Sequence, residues 1–215
     1  MKILPLRVPA VRALSLLGVL LGGCSSLLHS SAPPEQTYYL RAPAAAPATA
    51  AAPAGTLGSL RVELPVASPG LDSSRIMLVQ ADHRMNFYAA SRWPGATPQL
   101  IEALSVDALR AAGAWSSVQD SASPFPADYL LQIAVRRFDA DYSGGGAAPE
   151  VHVVLDCSLG RRAEREVIAS FAAQGTATAG GDRMREVVAA FEQATGAALT
   201  SLSQQADEAV RAHGR

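Results

Sequence analysis

Few residues in this sequence are placed to do chemistry. Asp139 and Asp141 share one face of a predicted strand beside Tyr142, a grouping suited to acid–base work if one carboxyl keeps its proton; a charged strand end facing water accounts for the same residues. His29, His83, His152 and His213 fall in a tether, a turn, a strand and near the C-terminus, and none has a partner at metal-ligand spacing. Cys157 keeps step with Val151, Val153, Leu155 and Leu159, which makes it a small core hydrophobe and not a nucleophile. Gly144-Gly145-Gly146 lacks the Lys-Ser/Thr of a phosphate-cradling loop and opens a strand instead of a helix, and no serine sits in a G-x-S-x-G turn. No catalytic residue and no metal ligand is assigned, and the expectation is a protein that is not an enzyme. The remaining candidates are Tyr88, Arg92 and Trp93, since a Trp beside an Arg at a strand end can present a flat amphipathic surface to a partner or to lipid. The alternative for Trp93 is that it covers the end of the sheet.

Those residues need elements to hold them. Leu60, Val62, Leu64 and Val66 alternate with polar residues and Pro65, as in an edge strand. Arg75 to Gln80 and Met85 to Trp93 are β-rich runs joined by Ala81-Asp82-His83-Arg84, so they should pair as a hairpin. Thr97 is the predicted N-cap of a helix with Pro98 at its first helical position and Gly113 as its left-handed cap. Tyr129 to Asp141, Glu150 to Gly160 and Glu166 to Thr178 read as a meander of three long strands, and from Asp182 an apolar face at helical spacing runs through Phe191, Ala198 and Leu202 to Ala209. The expected fold class is α+β: a mixed or antiparallel sheet of about six strands with two amphipathic helices on one face, a two-layer sandwich.

The N-terminus carries Lys2, Arg7 and Arg12, then about nine apolar residues from Ala13 to Leu21, then small residues before Cys24. A membrane span needs roughly 20 apolar residues, so this is an export signal and not an anchor. Leu21-Gly22-Gly23-Cys24 resembles the lipobox of bacterial lipoproteins. The resemblance implies cleavage between Gly23 and Cys24 and a covalent diacylglycerol and palmitate on the Cys24 thiol, with no other cofactor. Three acyl chains, at roughly 0.8 kcal/mol per buried methylene, make such attachment effectively permanent. Ser25 stands where an aspartate would resemble an inner-membrane retention signal, which favours the periplasmic face of the outer membrane.

The expected organisation is a signal peptide over 1–23, a lipidated Ala/Pro-rich tether over 24–58 that includes a patterned segment at 37–41, and one domain over 59–213. Removing the signal takes three of the 18 basic residues and none of the 19 acidic ones, leaving 15 against 19, a formal charge of −4. Nothing in that balance attracts nucleic acid. With Cys24 acylated, Cys157 has no disulfide partner.

The order of the motifs is similar to that of the ABC-type transport auxiliary lipoproteins, the group that includes the lipoprotein of the paraquat-inducible intermembrane transport operon. It consists of a lipobox, Tyr38-Tyr39-Leu40, Leu64-Pro65-Val66-Ala67, the spaced Leu71, Asp72 and Ile76, the pair Arg92-Trp93 and a Leu-containing helix. The tract after Arg41 looks like an insertion, and the helix entry Trp93 to Leu100 is displaced from the usual family pattern. The resemblance implies an auxiliary part of a lipid transporter whose other parts are an MCE-domain periplasmic protein and, indirectly, an ABC permease and ATPase, with a homo-oligomeric ring as an option. A structural lipoprotein that braces an outer-membrane barrel, of the lipopolysaccharide-assembly type, is the alternative.

Overall fold

The computed structural model describes residues 34–41 and 56–213. Cys24, Gly23, His29 and most of the tether lie outside them. The elements in chain order are β1 (Gln36–Thr37), β2 (Leu57–Val62), β3 (Val66–Ala67), β4 (Arg75–Val79), β5 (Met85–Arg92), α1 (Thr97–Ala112), β6 (Trp115–Gln119), β7 (Tyr129–Asp141), β8 (Glu150–Arg161), β9 (Glu166–Thr178) and α2 (Met184–His213). The fold is α+β, with nine strands in one mixed sheet where about six were expected. Pro65, lacking an N–H for the ladder, divides the first predicted strand into β2 and β3; β1 and β6 account for the rest. β2 also starts at Leu57, inside the stretch read as tether.

β7 is the spine of the sheet. One side pairs antiparallel with β8 along its whole length, and β8 pairs in turn with β9. Its other side receives three short parallel strands in succession, with Leu60–Val62 against Tyr129–Leu131, Val66–Ala67 against Ala134–Val135, and Met77–Val79 against Asp139–Asp141. The register shifts between Val135 and Arg137. This bulge moves the inward phase from Leu131, Ile133 and Val135 to Phe138 and Ala140.

The inward face of β8, from Val151 to Leu159, is apolar and buried, and Cys157 sits in that row as expected. α2 covers β8 and β9 with Val187, Phe191, Ala194, Ala198, Leu199, Leu202 and Ala206, most of the stripe visible in the sequence. α1 packs beside it through Ile101, Leu104 and Leu109 and ends at Gly113, whose φ of 70° is the left-handed cap that a residue without Cβ adopts freely. Its start is one residue earlier than predicted. Ala96 is the N-cap, and Thr97, the expected cap, sits inside the helix with both its N–H and its hydroxyl donating to the carbonyl of Ser73.

Candidate functional site

Tyr88, Arg92 and Trp93 lie on and just after β5, and the structure separates their roles. Trp93 is 0% exposed. Its backbone N–H donates to the Ser74 carbonyl at 2.7 Å, and the ring lies inward between Phe138 (centroids 5.8 Å) and Phe191 (5.2 Å, edge-on). Such aromatic pairs add roughly 0.5–1.5 kcal/mol each beyond the area they bury. With no accessible surface, Trp93 meets neither partner nor lipid here; it joins sheet to helix, and its reading as a contact residue is corrected accordingly.

Arg92 stays half-exposed. It pairs with Glu35 at 2.6 Å, and its backbone carbonyl accepts the Tyr38 N–H at 2.8 Å. Around it β1 lies parallel to β5, with Gln36 opposite Ser91 and Thr37 opposite Arg92. Leu40 then enters the core at 1% exposed, while the Arg41 N–H donates to Glu192 of α2 at 3.2 Å. The patterned segment is therefore docked to the domain. Its strand is Gln36–Thr37, while Leu40 packs just beyond it. Tyr39 between them is 71% exposed. Across the hairpin, the Arg75 guanidinium lies 3.7 Å from the centre of the Phe87 ring.

Tyr88 is half-buried and its hydroxyl meets that of Tyr142 at 2.9 Å, while the Tyr142 hydroxyl donates to Asp182 at the entry to α2. Burial pushes the Tyr88 hydroxyl well above its ordinary value, and Tyr142 adds to the shift. Tyr142 itself is pushed up to about 12, by burial and then by the Asp182 carboxylate. Two phenols held neutral in this way act as hydrogen-bond links between the hairpin, the end of β7 and α2.

The two candidate carboxylates are already committed. The Arg137 guanidinium donates to Asp139 at 2.6 and 3.1 Å and to Asp141 at 2.8 Å, all three side chains standing on the face opposite the helices just after the bulge. Asp139 is 4% exposed. Burial would raise Asp141, but hydrogen bonds from Ser143 and Arg137 outweigh it and hold the carboxyl below its ordinary value. Held so, Asp141 keeps no proton ready for donation near neutral pH. On the adjacent strand His152 lies 3.3 Å from Glu150, and Arg136 pairs with Asp156 at 2.6 Å. Burial lifts the Cys157 thiol to about 12, far from thiolate chemistry. Among the described residues, no three His, Cys, Asp or Glu side chains are grouped to hold a metal, and no helix is long and apolar enough to cross a membrane.

The same outer face is concave. Leu64, Val66, Ala134 and Asp156 line a hollow of about 440 Å³, and Leu130, Arg161, Arg165 and Val167 line one of about 530 Å³. Gln132 and Ser158 border both.

The family model for the ABC-type transport auxiliary lipoprotein component matches residues 38–204 of the 215. The chain belongs to that family. The match begins at Tyr38, in the docked segment, and ends near the last turns of α2. Among solved structures, this auxiliary lipoprotein resembles a Xanthomonas campestris protein of the DUF330 family, with a TM-score of 0.74 and 24% identity over 83% of this chain and 99% of that one. A second, uncharacterized protein gives a TM-score of 0.60 at 15% identity, covering 80% of this chain and 99% of the other. At such identities the likeness concerns the fold. No curated protein matches the sequence.

Family membership makes the chain a lipoprotein component of an ABC-type transport system. The clamp of β1 against β5 was the least visible feature in the sequence, because two residues carry no periodicity. The one usable signal was the alternation of Tyr38 and Leu40 between two tracts of low complexity.

Proposed function

We propose that this lipoprotein is acylated on Cys24, stands on the periplasmic face of the outer membrane, and acts without enzymatic chemistry as the docking component of an MCE-type intermembrane lipid transporter. The observation that carries the reading is the family match over residues 38–204, which runs from just after β1 into the last turns of α2. The geometry is in keeping with it: Asp139 and Asp141 are both paired with Arg137, the Cys157 thiol is buried and raised, and Tyr88 and Tyr142 are bonded to each other, while Arg92 remains at the surface beside Glu35 and Tyr88 is only half-buried. The energy for transport then comes from the ATPase, and this chain supplies position. Self-association into a ring belongs to the same reading.

A photo-crosslinking residue in place of Arg92 or Tyr88 in the intact envelope tests it. The expected result is capture of an MCE-domain protein. Capture of no such protein, with neighbouring genes encoding no ABC ATPase or permease, overturns it, and capture of an outer-membrane barrel moves the protein to the assembly class.

A further inference from the structure

The domain has two unlike ends. β4 runs parallel to β7, so the β4–β5 turn lies beyond the C-terminal end of β7, where Tyr142 N–H donates to the Val79 carbonyl. The β7–β8 loop Ser143–Pro149 and the connection from β9 to α2 are at that same end. The opposite end holds the β8–β9 turn and the C-terminus of α2, joined by a hydrogen bond from Arg161 to the His213 carbonyl. Their loops differ in charge. At the hairpin end Asp82, His83 and Arg84 lie in the β4–β5 turn and Asp182 and Arg183 in the β9–α2 connection, but the loop 143–149 has no ionisable side chain; in the turn 161–166 every residue except Ala163 is charged.

The described start of the chain points toward the hairpin end. β1 is parallel to β5 and therefore antiparallel to β4, so its N-terminal side, at Glu35, faces the tip of the hairpin. From Cys24 to Glu35 the chain can extend at most roughly 40 Å. The hairpin from Ser91 to Met85 takes up about 20 Å in the same direction, which brings its tip within reach of the surface that holds the anchor. At that tip Met85 is 57% exposed. The only exposed ion pair in the turn, Arg84 with Asp82 at 2.6 Å, is internally balanced. Pressed toward the acyl boundary, the turn 161–166 would bring five charged side chains out of water, a cost that the loop 143–149 does not incur.

We propose that the hairpin tip around Met85 and the loop Ser143–Pro149 form the surface that rests on the lipid headgroups, so that the charged turn Arg161–Glu166 is held roughly 40 Å away and offered to the periplasmic partner. This inference rests on acylation of Cys24. It is tested with the full acylated chain in vesicles of phosphatidylethanolamine and phosphatidylglycerol carrying a headgroup nitroxide, with a fluorophore on Ala147→Cys or on Ala163→Cys. Both positions are exposed, and buried Cys157 does not compete for label. Quenching at 147 should exceed that at 163 at least threefold. Equal or reversed quenching on a chain that carries acyl mass and floats with the vesicles overturns the orientation alone. A chain without acyl mass overturns the anchor reading, and the orientation with it.

Discussion

Gly175 of β9 and Ala194 of α2 meet backbone to backbone: a Cβ on Gly175 would lie 2.0 Å from the Ala194 carbonyl oxygen and 2.9 Å from the Ala198 nitrogen. No side-chain rotation relieves such a clash. Gly175→Ala should therefore push α2 off the sheet and cost about 3 kcal/mol or more, seen as a lower urea midpoint. An unchanged midpoint would show that the helix can shift freely.

Trp93→Ala empties a site closed by Phe138 and Phe191 and should cost about 3–5 kcal/mol. Trp93→Phe should cost far less, because it keeps the ring stacking and removes an indole N–H that finds no partner in the core. Denaturant titration of both variants separates a packing role from a contact role. If Trp93 met a partner directly, Trp93→Phe would lose complex formation while remaining stable.

The docked segment is held more by Leu40 than by Arg92. An exposed ion pair such as Arg92 with Glu35 contributes roughly 0.2–1 kcal/mol, whereas truncating a buried leucine to alanine costs about 2–5 kcal/mol. Hydrogen exchange at the Tyr38 amide, which donates to Arg92, should accelerate much more in Leu40→Ala than in Arg92→Ala. The reverse order would make the ion pair the clamp.

Two aspartates give opposite pH signatures. Asp141 is held below its ordinary value in the folded protein. It therefore adds stability that is full above the unfolded carboxylate value and is lost as pH falls through the lower folded value; Asp141→Asn should destabilise at pH 7 and flatten the acid limb. Asp207 on α2 is raised, by burial first and against the nearby Arg211 charge. Its charge opposes folding at neutral pH, so Asp207→Asn should stabilise at pH 7, with the gain vanishing once pH drops below the unfolded value. Unfolding curves at pH 3 and pH 7 check both signs.

Cys157 should resist alkylation in the native protein and react fully in denaturant, since its thiol is both buried and raised to about 12. Rapid native labelling would contradict the closed packing of β8 on α2.

Much of the fold was legible because long elements carry their own periodicity. The meander β7–β8–β9, the β4–β5 hairpin and the apolar stripe of α2 each repeat a pattern many times. What was hidden depends on single residues and on distant partners. Pro65 splits one apparent strand into β2 and β3, the bulge at Arg136 and Arg137 shifts which residues of β7 point to the buried face, and β6 is too short to alternate convincingly. At Trp93 the sequence leaves both a surface contact and a cover for the sheet end open, because its neighbour Arg92 is polar. The ring lies inward beside a backbone hydrogen bond to Ser74, which no local pattern announces. The ion pairing of Asp139 and Asp141 was equally unreadable, since it required Arg137 to reach the same face across the bulge.

The three strands on the far side of β7 have a consequence for assembly in time. Ser59 is bound by Asp128, 69 residues later, and β2, β3 and β4 all await the single strand Tyr129–Asp141. β4 finds an earlier partner in the hairpin with β5, and β2 finds one in β6, but both keep their other edge open until β7 arrives. Contacts of such long sequence separation close slowly. A chain that emerges N-terminus first thus carries open ladders through most of its passage, and its folding is paced by the late arrival of one strand.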